Sequence, residues 1–521
     1  MENTIFSILP PIIAIVMVLL TRRVLLSLGA GIVAAAFILT AFSPIEALKE
    51  LFNSFAITFW DEGFNAYNVF ILLFLLLLGV ITAFVSLSGG SRAFADWASK
   101  RIKSRRGAKI LTVFLGILIF IDDYFNALAV GQVARPITDR YKISRAKLAY
   151  FIDSTAAPIC VVSPVSSWGA AIIGIVATIL AGQTYVTMSA IEAFLWMAPM
   201  NFYVVASMAI VIFVAVRDVD FGAMRKHETL AITTGQLFDA EKTIPGEMKE
   251  DFPAHDHGRV SDLLLPILLL VVGTVSAMLW TGYQNAGQVF DIWLIFENTD
   301  VPVSLLTGGL LGASTSIILY ALQIRYNKAA NASWIGRGIL AGIKSMIGAV
   351  LILIFAWALT YLIGGLQTGQ YLADAVAKGN IPTAILPVLL FLLAGVMAFS
   401  TGTSWGSFGI LLPIAGKIMS QAEPDLLLPA LAAVLAGAVF GDHCSPISDT
   451  TILSSTGAGS NHIDHVITQL PYAITAAVIA AIGYIVIGIT GSLFMALGTV
   501  IIILVILFIF WSRQQPIIEK H

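Results

Sequence analysis

The chain has 521 residues, of which 58% are hydrophobic and only 12% charged, with a formal net charge of −2 and a mean hydropathy of +0.90. So little charge excludes a soluble multidomain protein, and the lack of a basic excess excludes a nucleic-acid partner. Two cysteines, Cys160 and Cys444, cannot make a disulfide framework, while apolar runs of spanning length recur from end to end, as in an all-α polytopic membrane protein.

In chain order, the opening MENTIFSILPP lacks a basic n-region and a small-residue cleavage site, so it is read as a first span rather than a removed signal peptide. Runs 5–20 and 24–42 are two spans joined by a turn carrying Arg22 and Arg23, which the positive-inside rule assigns to the cytoplasm, leaving the N-terminus outside. Residues 43–67 are mixed and amphipathic and suit the outer interface; 68–87 crosses inward. Segment 89–109 carries seven basic residues against one acid, Asp96, and is cytoplasmic. The next apolar run, 110–137, is followed by a second basic segment, 139–147. One run flanked by positive loops on both sides obeys the rule only if it enters and leaves on the same face, and its centre, FIDDYFNALAVG, has Asp122, Asp123 and Asn126 where a hairpin tip would be. A re-entrant hairpin is the economical reading; a single span with a local violation is the alternative. Run 148–181 crosses outward and is interrupted by DSTAAPICVVSPVSSWGA (153–170), where Pro158 and Pro164 each remove a helical donor. Run 191–216 returns, and 217–261, charged with both signs, reads as a solvated cytoplasmic linker.

The pattern then restarts. Run 262–281 goes out; the loop 282–301 has Asp291, Glu297 and Asp300 but no Lys or Arg, and is external; 302–323 goes in and 338–363 out. Run 385–421 is apolar with a polar centre, FSTGTSWGSFG, and reads as a second hairpin. Run 427–440 leads into FGDHCSPISDTTILSSTGAG (440–459), which places two aspartates and seven Ser/Thr hydroxyls at bilayer depth. A carboxylate there costs about 2.5–3.5 kcal/mol on insertion scales, and broken backbone must be buried in protein or line a wet cavity. Runs 466–489 and 492–511 follow, and Arg513 and Lys520 mark a cytoplasmic C-terminus.

The two halves repeat. FIDDYFNALAVGQVARPI (120–137) has a counterpart in FSTGTSWGSFGILLPI (399–414), and 153–170 aligns with DHCSPISDTTILSSTGA (442–458), so that Pro158 meets Pro446. Five crossings plus a hairpin in the first half make the second an upside-down copy. Inverted repeats whose broken helices meet near the midplane mark secondary transporters. The expected plan is about 11 transmembrane helices plus two re-entrant hairpins: 1–67 scaffold helices and an interfacial segment; 68–216 first repeat core, with hairpin 109–137 and broken helix 148–181; 217–261 linker; 262–337 scaffold helices; 338–490 second repeat core, with hairpin 383–421 and broken helix 427–458; 491–521 an extra helix and tail.

Pooling the four interruptions gives acids at Asp122, Asp123, Asp153, Asp442 and Asp449 and no Lys or Arg. Candidate polar partners are Asn126, Ser154, Thr155, Ser163, Thr401, Thr403, Ser404, Ser445, Ser448, Thr450 and Thr451, with Trp405 among the aromatics. Hard oxygen donors of this kind suit Na⁺ or H⁺ rather than a soft metal, with Na⁺ expected at Asp123, Asp449 and neighbouring hydroxyls. Buried together, these carboxylates cannot all stay ionised, and a site that sheds a proton before taking Na⁺ is the core of an antiporter. Any single one of these aspartates could instead cap a half-helix N-terminus, above all Asp153 in its DST context. No Cys/His ligand spacing and no oxyanion motif points to an enzyme, and no cofactor is expected beyond Na⁺ and H⁺ as transported or coupling ions. Trp168, Trp405 and Tyr124 leave room for an organic cation or amino acid, and a passive cation channel is a third, weaker reading.

At these residues the sequence resembles the NhaC family of Na⁺/H⁺ antiporters, through GDHCSPISDTTILSSTGAGSNHIDHVITQLPYA (441–473) and IDDYFNALAVGQVARPITDRYKISRAKLAYFIDSTAAPICVVSPVSSWGA (121–170). The resemblance implies a multi-pass bacterial inner-membrane homodimer in which an elevator-like transport domain moves against a scaffold. In the wider ion-transporter superfamily each hairpin carries a Ser-Asn-Thr tip; here the tips read Asp122-Asp123-Tyr124 and Thr401-Gly402-Thr403, so those ligands carry over loosely. Relatives of this family include exchangers of Na⁺ for H⁺, of malate for lactate, and amino-acid transporters for lysine, methionine or tyrosine, and the absence of a basic residue at the site argues against a dianion as main cargo.

Overall fold

The computed structural model describes residues 2–21, 23–120, 122–164, 166–181, 188–239, 242, 258–325, 330–368, 370–371, 374 and 382–513, and among them every regular element is a helix. The middle of the 217–261 linker and the tail from 514, with Lys520, lie outside the described residues, as do Arg22 and Ile121. Eight described helices are long and apolar enough to cross a bilayer, or nine if the bent pair Ala190–Met200 and Phe202–Val216 is one span. Three shorter apolar helices, Ile5–Met17, Val24–Leu39 and Ala171–Ala181, fall in runs that hydropathy reads as crossings. Broken runs lower the number of long helices: the run 148–181, expected to be interrupted, becomes Arg145–Thr155, Ala157–Cys160 and Ser167–Ala181. The simple crossing expected over 191–216 is bent by 51°, because Pro199 removes a donor and Asn201 restarts the helix by accepting from the Val204 amide at 3.1 Å.

Arg105–Leu118 and Asp123–Arg140 form a helical hairpin. Their outer ends lie together, since the Tyr141 hydroxyl donates to the Ile102 carbonyl and Arg105 Nη2 lies 3.5 Å from the Lys142 carbonyl. The tip is stapled by Asn126, whose Nδ2 donates to the carbonyls of Gly116 (2.6 Å), Ile119 (2.7 Å) and Thr155 (3.2 Å). The second apolar run divides into Leu386–Thr401 and Ser404–Ala422, packed on each other across Gly402, which has φ 72°. Both breaks restart alike: Asp122 has φ −153°, ψ 140° and Thr403 φ −154°, ψ 138°, and each following helix contains a proline, Pro136 or Pro413.

Ala66–Leu87, Ser261–Asn285, Val301–Gln323 and Ser333–Gly365 pack on one another, and Leu9–Thr21 and Val24–Leu39 join them through Ser333–Gly365. The helix Leu386–Thr401 packs most extensively on the almost wholly buried Leu427–Cys444, and Asp449–Ala458 is buried along its whole length. That last helix crosses Asp123–Arg140 at Gly131 and Gly457: a Cβ on Gly131 would stand 2.5 Å from the Gly457 carbonyl carbon. The two glycines therefore let a helix of the first half touch one of the second backbone to backbone.

The start of the linker is not a solvated segment. Residues 217–234 dock on the core, with Lys109 Nζ 2.6 Å from Asp218, and Arg105 and Lys147 paired with Glu228 and Asp220. Asp220 also accepts from the Tyr472 hydroxyl at 2.8 Å. The reason is electrostatic: three cations at the ends of core helices cannot be buried without counter-charges, and the linker supplies them.

Candidate functional site

The four interruptions meet. On the helix Asp123–Arg140, Asp122 is the N-cap and accepts from the Phe125 amide at 3.0 Å, so its first role is the capping one. Asp123, one position on, is buried; Oδ1 accepts from Trp168 Nε1 at 3.0 Å and Oδ2 has no hydrogen-bond partner. Trp168 belongs to the first broken helix. Tyr124 turns to the other half, its hydroxyl donating to Asp449 Oδ2. Asp449 begins the helix Asp449–Ala458, and its Oδ1 accepts from the Thr450 amide at 2.8 Å. The first hairpin and the second broken helix are thereby joined through a tyrosine between two candidate carboxylates.

A cavity of about 600 Å³ opens beside them, lined from the core by Asp122, Asp123, Tyr124 and Trp405. Its far wall comes from the flanking helices, with Tyr67, Phe70 and Asp300. Among the described residues no Lys, Arg or His lines it. Trp405 is 38% exposed, and its ring centroid lies 5.2 Å from that of Trp168. A buried carboxylate oxygen without a partner among the described residues, next to a cavity with acidic and aromatic walls, has the chemistry that attracts a cation.

The remaining predicted residues divide by what they hold. Asp442 accepts from Ser404 Oγ at 2.8 Å and Ser448 Oγ at 2.5 Å, and Ser448 also bonds the Thr450 hydroxyl at 2.9 Å. This ties the tip of the second hairpin to the second broken helix but leaves Asp442 off the cavity wall. Asp153 is further away in kind: Ser454 (3.1 Å), Thr451 (3.3 Å), Gln469 (2.6 Å) and His465 Nε2 (3.2 Å) all serve it. Ser154 is taken by His443 Nε2 at 3.1 Å. Thr155 and Thr401 return their hydroxyls to the carbonyls of Phe151 and Met397, one turn back, and Ser445 gives its hydroxyl to the Phe399 carbonyl at 2.7 Å. Those three, with Asn126, close the backbone groups that the breaks set free. Ser163 and Thr403 are half-buried and line no part of the cavity.

Sequence reasoning missed Tyr67 and Asp300, assigned to an interfacial segment and an external loop; a lone acid capping a helix, as Asp300 does for the Val303 amide, gives no signal of its own. It also missed His465 and Gln469, whose signal was available: two polar residues one turn apart, at i and i+4, inside an apolar helix.

The profile of the Na⁺/H⁺ antiporter family matches residues 159–489. The chain is 49% identical over 494 residues to an uncharacterized protein of Haemophilus influenzae, covering 94% of this chain and 92% of that one. It is 36% identical over 164 residues to the malate-2H⁺/Na⁺-lactate antiporter of Bacillus subtilis, 29% of this chain and 32% of that one. An uncharacterized Na⁺/H⁺ antiporter of Haemophilus influenzae is 34% identical over 134 residues, 24% and 28% of the two chains.

Proposed function

Since the chain belongs to the Na⁺/H⁺ antiporter family, a secondary transporter rather than an enzyme, we propose that it exchanges Na⁺ for H⁺ across the membrane at the Asp123–Asp449 site. The observation that carries this reading is the unpartnered Asp123 Oδ2 beside the Tyr124–Asp449 bond. One carboxylate comes from each half, and the hydroxyl between them belongs to the first hairpin. Cation binding at Asp123 and proton binding in the same polar core must exclude one another, which is what couples the two fluxes. In this reading both hairpins are re-entrant, the halves are inverted, and the core moves against the flanking helices to alternate access, with the N-terminus outside, in a bacterial inner-membrane homodimer.

The test uses proteoliposomes loaded with a pH-sensitive dye. An imposed Na⁺ gradient should move protons the opposite way without any organic solute. A second reading, a Na⁺- or H⁺-coupled amino-acid transporter, is favoured by the cavity: about 600 Å³ with an exposed indole is far more space than a Na⁺ needs. Proton flux that appears only when one amino acid is added would replace the first reading with the second. Flux that neither saturates nor shows counterflow would mean a channel.

A further inference from the structure

A second cluster of titratable groups lies away from the cavity. At its centre Asp153 is buried, as are His443 and His465. Its carboxylate is served by neutral donors, Ser454, Thr451 and Gln469, and by His465 Nε2 at 3.2 Å; His443 Nε2 stands 4.0 Å away. The Gln469 amide also donates to the His443 carbonyl, and His443 meets the Tyr203 hydroxyl through Nδ1 at 2.7 Å and Ser154 Oγ through Nε2 at 3.1 Å, so its imidazole is fixed in orientation. Among the described residues no Lys or Arg pairs with Asp153; the basic groups beside it are the two imidazoles.

The nitrogens of the neighbouring histidines are used differently. His462 has both engaged, Nε2 with the Pro446 carbonyl at 2.8 Å and Nδ1 with Ser455 Oγ at 3.3 Å. His465 donates Nε2–H to Asp153, and its Nδ1 is buried with no partner. A free carboxylate here is a lone buried charge, which costs several kcal/mol. A proton placed on His465 Nδ1 turns the contact into an imidazolium–carboxylate pair without moving a heavy atom. Among the described residues no group of three or more His, Cys, Asp or Glu side chains is arranged to hold a metal ion, so the proton is the ligand this geometry suits.

We infer that Asp153, His465 and His443 form a proton-binding site separate from the cation cavity, and that its proton is the one exchanged for the cation. The inference rests on the Na⁺/H⁺ reading. Communication runs through the buried helix Asp449–Ala458. Thr451 and Ser454 hold Asp153; the Thr451 amide donates to Ser448 Oγ at 3.2 Å, Ser448 bonds Thr450, and the Thr450 amide holds Asp449. The charge state of the cluster therefore bears on the helix that presents Asp449 to Tyr124. The other titratable groups facing the cluster are Tyr150, Tyr203, Asp442, Cys444, Asp449 and His462. Of these only His462 titrates near neutrality when unperturbed, and both its nitrogens are occupied.

The experiment uses the full chain in nanodiscs, with Na⁺ affinity measured from about pH 6 to 9 and ¹³C-labelled histidine followed by NMR over the same range. If Na⁺ binding displaces one proton, wild-type affinity changes tenfold per pH unit, about 1.4 kcal/mol. His465→Gln should keep Na⁺ affinity at the alkaline end within about threefold and flatten the slope to less than about threefold per unit. It should also remove one titrating histidine signal. Ser454→Ala, which takes one hydroxyl from Asp153 and leaves the imidazoles, should shift the midpoint of the profile and keep its slope, which mere loss of packing would not do. A wild-type slope in folded His465→Gln, or the same histidine signals in both proteins, overturns the proton site while leaving Na⁺/H⁺ exchange standing. If wild type shows no Na⁺-driven proton flux in liposomes, the exchange reading fails, and loss of the titrating signal in His465→Gln still decides whether the cluster binds a proton.

Discussion

Asp123→Asn tests the site most directly. The substitution keeps shape and the bond to Trp168, because an amide oxygen can accept from Nε1 as the carboxylate does at 3.0 Å. What it removes is the charge, including that of Oδ2, which no protein group neutralises. A monovalent cation about 3 Å from a carboxylate gains about 5 kcal/mol at an effective dielectric of about 20. Stripping water from both ions returns about half of that, leaving about 2–3 kcal/mol, or roughly 30- to 150-fold in affinity. Sodium binding by calorimetry in nanodiscs should weaken by that factor, and exchange in proteoliposomes should disappear. Thermal unfolding in the absence of Na⁺ should not fall, since a buried charge has been removed and no packing lost. Sodium affinity within threefold of wild type, in a protein that unfolds normally, would refute the assignment of Asp123.

Asn126→Ala cuts three bonds to the carbonyls of Gly116, Ile119 and Thr155; stability should drop by about 2–4 kcal/mol, read as a lowered denaturation midpoint, and transport should fall with it. Gly131→Ala puts a methyl against the Gly457 backbone and should cost about 1–3 kcal/mol, with a larger loss of exchange than of folded protein because Tyr124 and Asp449 are pushed apart. At the linker, burial raises the pKa of Asp218, but the Lys109 ammonium, its hydrogen bond and Arg105 outweigh it and hold the carboxyl below its ordinary value. A carboxyl depressed in the folded state stabilises above its unfolded value of about 4 and loses that contribution as pH falls through the folded value. Hydrogen-exchange protection in 217–234, taken relative to the intrinsic rate at each pH, should therefore fall in acid, and Asp218→Asn should show the lower protection already at neutral pH; equal protection in both proteins at neutral pH would mean the pair does not hold the linker.

Much of this protein is legible in one dimension because the bilayer is a harsh solvent. A backbone carbonyl left free, or an aspartate left at depth, is so costly that polar residues inside apolar runs mark their own importance. Asp122-Asp123, the DST at 153–155, the tip at 401–404 and the stretch 442–451 all stood out for that reason, and Pro-Ile after each tip paired the two stretches whose helices restart with the same backbone geometry at Asp122 and Thr403. The charge count around 110–137 likewise singled out the run in which Arg105–Leu118 and Asp123–Arg140 fold back on each other, their outer ends meeting at Ile102 and Tyr141.

What composition and spacing do not contain is direction. Five aspartates look alike in sequence, yet Asp123 keeps an oxygen free at a cavity, Asp442 is held by two serines, and Asp153 is enclosed by two histidines, a glutamine and two hydroxyls. Those differences depend on which helices pack together, and that rests on Gly131 meeting Gly457 and on Asn126 spanning three segments. Tyr67 and Asp300 reach the cavity only because their helices lie beside the hairpin tip. The sequence by itself determined that buried polar groups would be held at four breaks; the tertiary structure alone decided which carboxylate keeps an oxygen without a hydrogen-bond partner, because hydrogen-bond satisfaction depends on neighbours brought together from distant parts of the chain.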